Sequence, residues 1–216
     1  MNLETLNNEK FYINGEYVDV ASGEFIDVEN PATEEIFAKI PSANEEDINK
    51  AVDAAYDAFQ AWSKTPVEDR VALVKKLNQW IDEHQDDFDE LILLELGIPI
   101  HVGHGSQVGR QVGRADVFIE QVQNIDLETP MEGGILVREP IGVVASITPW
   151  NYPLGQIIQK VIPALVSGCT VVQKPATNTP LSAYLLAKGI DEVGFPKGVF
   201  NLITGQGSEV GDILNK

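Results

Sequence analysis

The sequence is poor in cysteine, in cations and in long apolar runs, and each shortage excludes something. A single cysteine, Cys169, rules out an intrachain disulfide framework. Lys and Arg number 15 against 33 Asp and Glu, for a formal net charge of −18. So acidic a chain lacks the basic surface that nucleic acid or an anionic membrane requires, and neither is expected as a partner. No run of about 18 apolar residues occurs, so no helix is expected to span a bilayer. Met1 to Lys10 is polar and acidic, unlike a secretory leader, and a soluble cytoplasmic protein is the expectation. His101 and His104 stand three apart with no cysteine or further histidine beside them, so no metal site is expected.

What is present is enough apolar material for one sizeable core: 44% of 216 residues. Phe11 to Asp19 reads as a hairpin turning at Asn14-Gly15, and Asn30-Pro31 breaks the chain after it. A helix is expected from Ser42, with Ser42 and Glu45 as a capping box and Ile48, Val52, Ala55, Phe59 and Trp62 as its apolar stripe. Thr65 caps the next helix, with Pro66 at its first position and Val67, Val71, Val74, Leu77 and Ile81 facing inward. A third covers Asp86 to Leu96 and stops at Gly97. A fourth runs from Ser106 to Gln123, with Gly103 to Gly109 as its lead-in and Val108, Val112, Ala115, Ile119 and Val122 inside. Phe59, Trp62, Phe88 and Phe118 fall on these stripes as core aromatics.

The character changes at Asn124. Ile125 to Leu127 and Ile135 to Arg138 read as two extended arms joined through Gly133-Gly134. From Ile141 the order becomes strand, helix, strand, helix, strand. Val143 to Ile147 reads as a buried strand and Leu154 to Val166 as a helix closing at Gly168. Thr170 to Gln173 is the second strand, Thr179-Pro180 opens a helix closing at Gly194, and Val199 to Ile203 is the third strand. A last helix starts near Ser208. Such alternation implies a parallel sheet of the doubly wound α/β class. Three strands are about half of a dinucleotide fold, preceded here by an N-terminal helical region.

Open parallel sheets bind ligands outside the carboxyl ends of their strands. Three stretches stand at such ends. Ile147-Thr148-Pro149-Trp150-Asn151-Tyr152-Pro153 follows the first strand, where two prolines fix the backbone and present Asn151, whose amide can donate to a developing oxyanion. An asparagine bonding its own backbone in a turn is the alternative. Val171-Val172-Gln173-Lys174-Pro175 places a lysine where it can meet a ribose hydroxyl or a phosphate. Gly205-Gln206-Gly207-Ser208-Glu209-Val210-Gly211 follows the third strand without the G-x-G-x-x-G spacing of a dinucleotide fingerprint.

Together, Trp150-Asn151-Tyr152-Pro153 and Val171 to Pro175, with Ile13-Asn14-Gly15 and Asn30-Pro31-Ala32-Thr33 upstream, resemble the aldehyde dehydrogenase family over essentially the whole chain. The resemblance implies a Rossmann-like fold of the aldehyde dehydrogenase type and oxidation of an aldehyde to a carboxylic acid with NAD or NADP. In the family, a cysteine thiolate attacks the aldehyde, hydride passes to the nicotinamide and the thioester is hydrolysed. It assigns Asn151 as the catalytic oxyanion donor. It assigns Ile147, Thr148, Pro149, Trp150, Lys174, Ala176, Thr177, Gly207 and Gly211 to the cofactor wall. Residues 1–123 then form the hairpin and helices of the cofactor-binding domain, 124–140 the bridging or oligomerisation arms, and 141–216 a truncated β-α-β-α-β part of the nucleotide-binding domain. A homo-oligomer, dimer or tetramer, is implied for the full-length form.

Two departures from the family matter. Its frequent Lys-Pro-Ser-Glu is here Lys174-Pro175-Ala176-Thr177, so no carboxylate repels a 2′-phosphate and NADP is expected to bind at least as well as NAD. Its nucleophilic cysteine, general-base glutamate and pyrophosphate loop are not among these 216 residues, and the chain alone is expected to be inactive. Cys169 enters a buried strand and is not expected to substitute. With sheet edges and arms left unpaired, the isolated chain is expected to self-associate. The alternative function is a non-catalytic nucleotide-binding or oligomerisation module derived from the same family.

Overall fold

A computed structural model describes residues 3–99 and 105–214. A short 3-10 turn at Leu3–Leu6 leads into β1 (Phe11–Ile13) and β2 (Glu16–Val18). The turn between them needs positive φ at both central residues, and Asn14 and Gly15 supply it at 53° and 72°. A second hairpin, β3 (Phe25–Asn30) and β4 (Glu35–Pro41), occupies sequence that was expected only to break at Asn30-Pro31. The break is real but is the hairpin's turn: Asn30 Oδ1 accepts from Ala32 N at 2.9 Å. The strands escape a periodicity search because a bulge at Val28/Glu29 resets the alternation.

Helix α1 (Glu45–Trp62) begins later than Ser42. Its capping box is Asn44 with Asp47, bonded at 3.0 and 3.3 Å, while Ser42 and Ala43 stay extended because their amides bond Glu24 O and Thr204 O. In α2 (Val67–Glu83), Pro66 takes the cap position rather than the first helical one, and the Thr65 hydroxyl donates back to Ala61 O instead of capping. Helix α3 (Gln85–Leu96) ends at Gly97 as expected, with φ 67°. Helix α4 starts only at Gly109 and runs to Gln123. His101 and His104, and part of the glycine run before α4, lie outside the described residues. Trp62 and Phe88 are buried core aromatics, but Phe59 and Phe118 sit at helix flanks and are half-buried. The extended arms are β5 (Glu128–Met131) and β6 (Gly134–Val137), so the first arm starts beyond Ile125–Leu127. All four residues of β6 are exposed.

Then come β7 (Val143–Ile147), α5 (Pro153–Ser167), β8 (Thr170–Lys174), α6 (Leu181–Val193), β9 (Phe200–Leu202) and α7 (Gly207–Leu214). Strands β7, β8 and β9 are mutually parallel, as the alternation implies. The sheet nevertheless has five strands, in the order β2-β1-β9-β8-β7, because β1 adds antiparallel to β9 with Tyr12 opposite Leu202. That pairing is long-range and invisible to local pattern. It also covers the β9 side of the parallel strands, where β2 becomes the edge. The other edge is β7, and this corrects its reading as a buried strand: only Ser146 of its five residues is buried, and Ala145 and Ile147 are exposed. Its β-branched content suits a covered strand, but its position does not cover it. In β8, Val171 packs into the core shared with α2 to α6, while Val172 packs with Ile48, Ala51, Ala55 and Val210 of α1 and α7. The sheet thus has a helical layer on each face.

Candidate functional site

The carboxyl ends of the three parallel strands converge. Ile147 is the register partner of Lys174, and Thr148 N donates to Lys174 O at 3.2 Å. Beyond β9 the chain turns at Gly205, whose φ is 147° and whose added Cβ would come within 2.6 Å of Val210 Cγ2. The Thr177 hydroxyl donates to Gly205 O at 3.0 Å and ties the segment after β8 to this turn. Ile147, Thr148, Lys174 and Thr177 therefore share one end of the sheet. Ala176 is half-buried beside them.

Thr148 is buried, and Pro149, Trp150, Asn151 and Tyr152 are exposed. The loop is pinned at both ends: the Thr179 hydroxyl donates to Trp150 O at 3.3 Å, and Pro153 opens α5 with Gln156 N bonded to Tyr152 O. Among the described residues the Asn151 amide has no hydrogen-bond partner. The self-bonded turn that was the alternative is not formed.

Lys174 is only 2% exposed, and burial pulls its ammonium below the ordinary lysine range. Nζ donates to Pro175 O at 3.0 Å. One acceptor among the described residues, for three N–H donors, leaves donor capacity for an oxygen-rich ligand. Gly207 and Gly211 lie on α7, and an added Cβ at either would meet nothing within 4 Å, so the helix is bare of side chains there. This donor set and bare backbone fit a dinucleotide better than an apolar ligand. On the same face of β7 and β8, Ser146 Oγ and Gln173 Oε1 are buried without partners, although Gln173 Nε2 donates to Thr148 Oγ1 at 3.1 Å.

Cys169 is 5% exposed and begins the approach to β8 at the amino end of the sheet. Five residues of strand, roughly 17 Å, separate it from the end where Asn151 sits. Among the described residues, no group of three His, Cys, Asp or Glu is placed to hold a metal ion, and no helix is long and apolar enough to cross a membrane.

One functional neighbour escapes the sequence reading. Helix α6 starts with Pro180 at its cap position and no side-chain cap of its own. Its cap comes from α3: Glu95 accepts from Leu181 N at 2.6 Å, Ser182 N at 3.3 Å and Ser182 Oγ at 2.6 Å. Glu95 is 2% exposed. Burial pushes its carboxyl up to about 7, against the opposing pull of its bonds from Ser182 and Leu181. The only local signal is a charge set inside the apolar run Leu91-Ile92-Leu93-Leu94-Glu95-Leu96.

The sequence model of the aldehyde dehydrogenase family matches residues 17–216. A Staphylococcus epidermidis relative is 42% identical over 210 residues, which are 97% of this chain and 44% of the relative. Among solved structures, a mutant aldehyde dehydrogenase C from Pseudomonas syringae, in complex with NAD+ and octanal, superposes with a TM-score of 0.94 at 41% identity, over 96% of this chain and 43% of that one. An NADP-dependent enzyme from E. coli gives 0.92 at 36% identity, over 99% of this chain and 45% of that one. The chain spans a little under half the length of each. With its βαβαβ core, its strand-end loop and its sequence matched across this span, the chain belongs to the aldehyde dehydrogenase family.

Proposed function

We propose that this chain is the N-terminal, cofactor-binding part of an NAD(P)-dependent aldehyde dehydrogenase. The observation that carries the reading is the convergence of Thr148, Lys174 and Thr177 at the carboxyl ends of β7 and β8, next to an Asn151 amide with no partner of its own. Ile147, Thr148, Pro149, Trp150, Lys174, Ala176, Thr177, Gly207 and Gly211 hold the cofactor. Acceptance of hydride is the chemistry a bound nicotinamide supplies. Lys174 offers N–H donors to ribose or phosphate oxygen, and the bare backbone at Gly207 and Gly211 lets a flat group lie close. Asn151 donates to the oxygen of the reacting aldehyde as negative charge develops on it. Residues 1–123 and 141–216 share the five-stranded sheet and act as one binding unit. Residues 124–140 act as arms for a homo-oligomer, a role supported by Ile135 and Val137 at 62% and 53% exposure.

The 216-residue chain by itself does not oxidise aldehydes. Its one thiol is buried at the far end of the sheet from Asn151, so no nucleophile meets an aldehyde at the oxyanion donor. Reduced-cofactor absorbance stays flat with a panel of aldehydes and either cofactor, for the wild type and for Cys169→Ala alike. Steady turnover by either would refute this.

Both cofactors are candidates, and NADP binds at least as well as NAD. Thr177, anchored to Gly205 O, presents no carboxylate, while the Lys174 ammonium attracts a 2′-phosphate. In a polypeptide that includes the family's pyrophosphate helix, Thr177→Glu shifts preference towards NAD by about tenfold or more. Lys174→Ala weakens NADP more than NAD. Parallel titrations with the two cofactors measure both, and a preference unmoved by Thr177→Glu would show that this position does not set it.

A further inference from the structure

The Glu95 cap does more than start a helix, because of what the first turn of α6 touches. We propose that Glu95 is a positioning residue: by clamping Leu181 and Ser182 it holds Thr179 against the Trp150 carbonyl and so sets the loop that presents Asn151. The proposal rests on the reading of that loop as the oxyanion site.

The Glu95 bonds are buried, and the Thr179–Trp150 bond, at 3.3 Å, is part-buried. Gly97 closes α3 in the left-handed region, and Pro31 lies so close that an added Cβ would meet its Cγ at 2.8 Å. The end of α3 is therefore fixed on the β3–β4 turn, and Glu95 with it. Two oxygens of one carboxylate take three donors from two consecutive residues, which fixes the helix start more firmly than one bond from a flexible cap. Thr179, also 2% exposed, is two residues before Leu181 and can move little while that turn is held. Its hydroxyl is the single side-chain bond from α6's lead-in to the Trp150 backbone. The same lead-in carries Thr177 and its bond to Gly205, so one carboxylate steadies both the oxyanion loop and the cofactor wall.

The clamp depends on charge. An ionised carboxylate only accepts, which suits three donors; a protonated one must donate from one oxygen and loses part of its hold. Only its three donors favour the ionised form of Glu95, and burial outweighs them. Asp27 and Glu29 of β3 line the same cleft, of about 510 Å³, with Trp150, Asn178 and Thr179, and no cation lines it among the described residues. Lys39, which reaches Asp27 at 3.8 Å from β4, does not line that cleft. With its carboxyl raised by burial to about 7, Glu95 loosens the loop as pH falls through neutrality and tightens it as pH rises.

Fluorine NMR of the whole chain labelled with 5-fluorotryptophan tests this. Trp62, Trp80 and Trp150 give three resonances, and Trp150→Phe assigns the one of interest. In the wild type the Trp150 resonance moves with a midpoint near 7. In Glu95→Gln it stays at its low-pH position throughout, although Asp27, Glu29 and every histidine remain. A direct field effect of Glu95 on the indole would survive loss of the hydroxyl link, so Thr179→Val, nearly isosteric, separates the two: it cuts the pH-dependent shift by more than half. This variant also keeps the test alive should Glu95→Gln fail to fold. A Trp150 resonance that is pH-invariant in the wild type, or that still titrates fully in Glu95→Gln or in Thr179→Val, overturns the proposal. Millimolar NAD or NADP added to the same samples shifts Trp150 if the loop is the site; a pH response without any cofactor response speaks against the site reading and leaves the clamp standing.

Discussion

Asn151→Ala lowers aldehyde turnover by about 10²–10³-fold in a polypeptide that joins this chain to the family's catalytic half. The size follows from what the amide is free to do. It is exposed, it has no partner among the described residues, and its loop is fixed by Thr179 on one side and by Pro153 at the start of α5 on the other. A donor held in place before charge develops needs no reorganisation when it does, and losing such a donor costs roughly 3–4 kcal/mol of transition-state stabilisation. The loss appears in kcat, because the donor meets the oxyanion and not the ground-state aldehyde. The dissociation constant of the cofactor stays where it was. Asn151→Asp is worse than Asn151→Ala, since a carboxylate repels the developing charge. Steady-state and single-turnover rates with one aldehyde decide it, and a kcat within threefold of wild type would remove Asn151 from the catalytic role.

The second large effect is on stability. Glu95 has a folded-state pKa raised from 4.5 to about 7 by burial. A group shifted upward holds its proton in the folded state after the unfolded chain has released it. Its contribution to stability is therefore complete below about 4.5, declines as pH rises, and is gone above about 7. The loss attributable to Glu95 alone is on the order of 3 kcal/mol. Glu95→Gln, which cannot ionise, removes that slope. Glu16 and Glu46, held low by hydrogen bonds from Lys197 and Lys50, act with the opposite sign, but they are unaltered in the variant and drop out of the comparison. Urea midpoints at pH 5 and pH 8 for both proteins measure the difference. Equal pH slopes would mean that Glu95 is not protonated in the folded chain at pH 5. The two pH effects of this residue oppose each other: ionisation tightens the Trp150 loop while it costs the fold as a whole.

Much of the half that carries the candidate site was legible because its signals are local. Gly168 and Gly194 close α5 and α6 in the left-handed conformation that only glycine adopts cheaply, and they mark the strands that follow. Strand ends then place Ile147 and Lys174, and the register that makes them partners needs only a parallel sheet. What was not legible is carried by contacts between distant residues. The β1 hairpin was found, but not its place beside β9, because nothing in Phe11–Ile13 records its partner. The β3–β4 hairpin hid behind its bulge. Ser42 read as the cap because the bonds of its own and the next amide to Glu24 and Thr204 are not written in the neighbouring sequence. Glu95 received no role from the sequence, since the residues that supply its three donors lie 86 and 87 positions further on.

The pairing of Tyr12 with Leu202 also sets a timetable for synthesis. The hairpin leaves the ribosome about 190 residues before the strand that covers it. At about 5–20 residues per second the wait is on the order of 10–40 s. Through that interval Phe11 and Ile13, which are 0% and 6% exposed in the finished sheet, have no cover from β9. Helices α2 and α4 pack on each other and can begin to collapse meanwhile, but α1, which packs on β8, β9 and α7, and the sheet's antiparallel seam cannot. An early-emerging apolar strand with a late partner is a place where a nascent chain meets other chains, so the β1–β2 hairpin is a segment that benefits from a holding factor during translation.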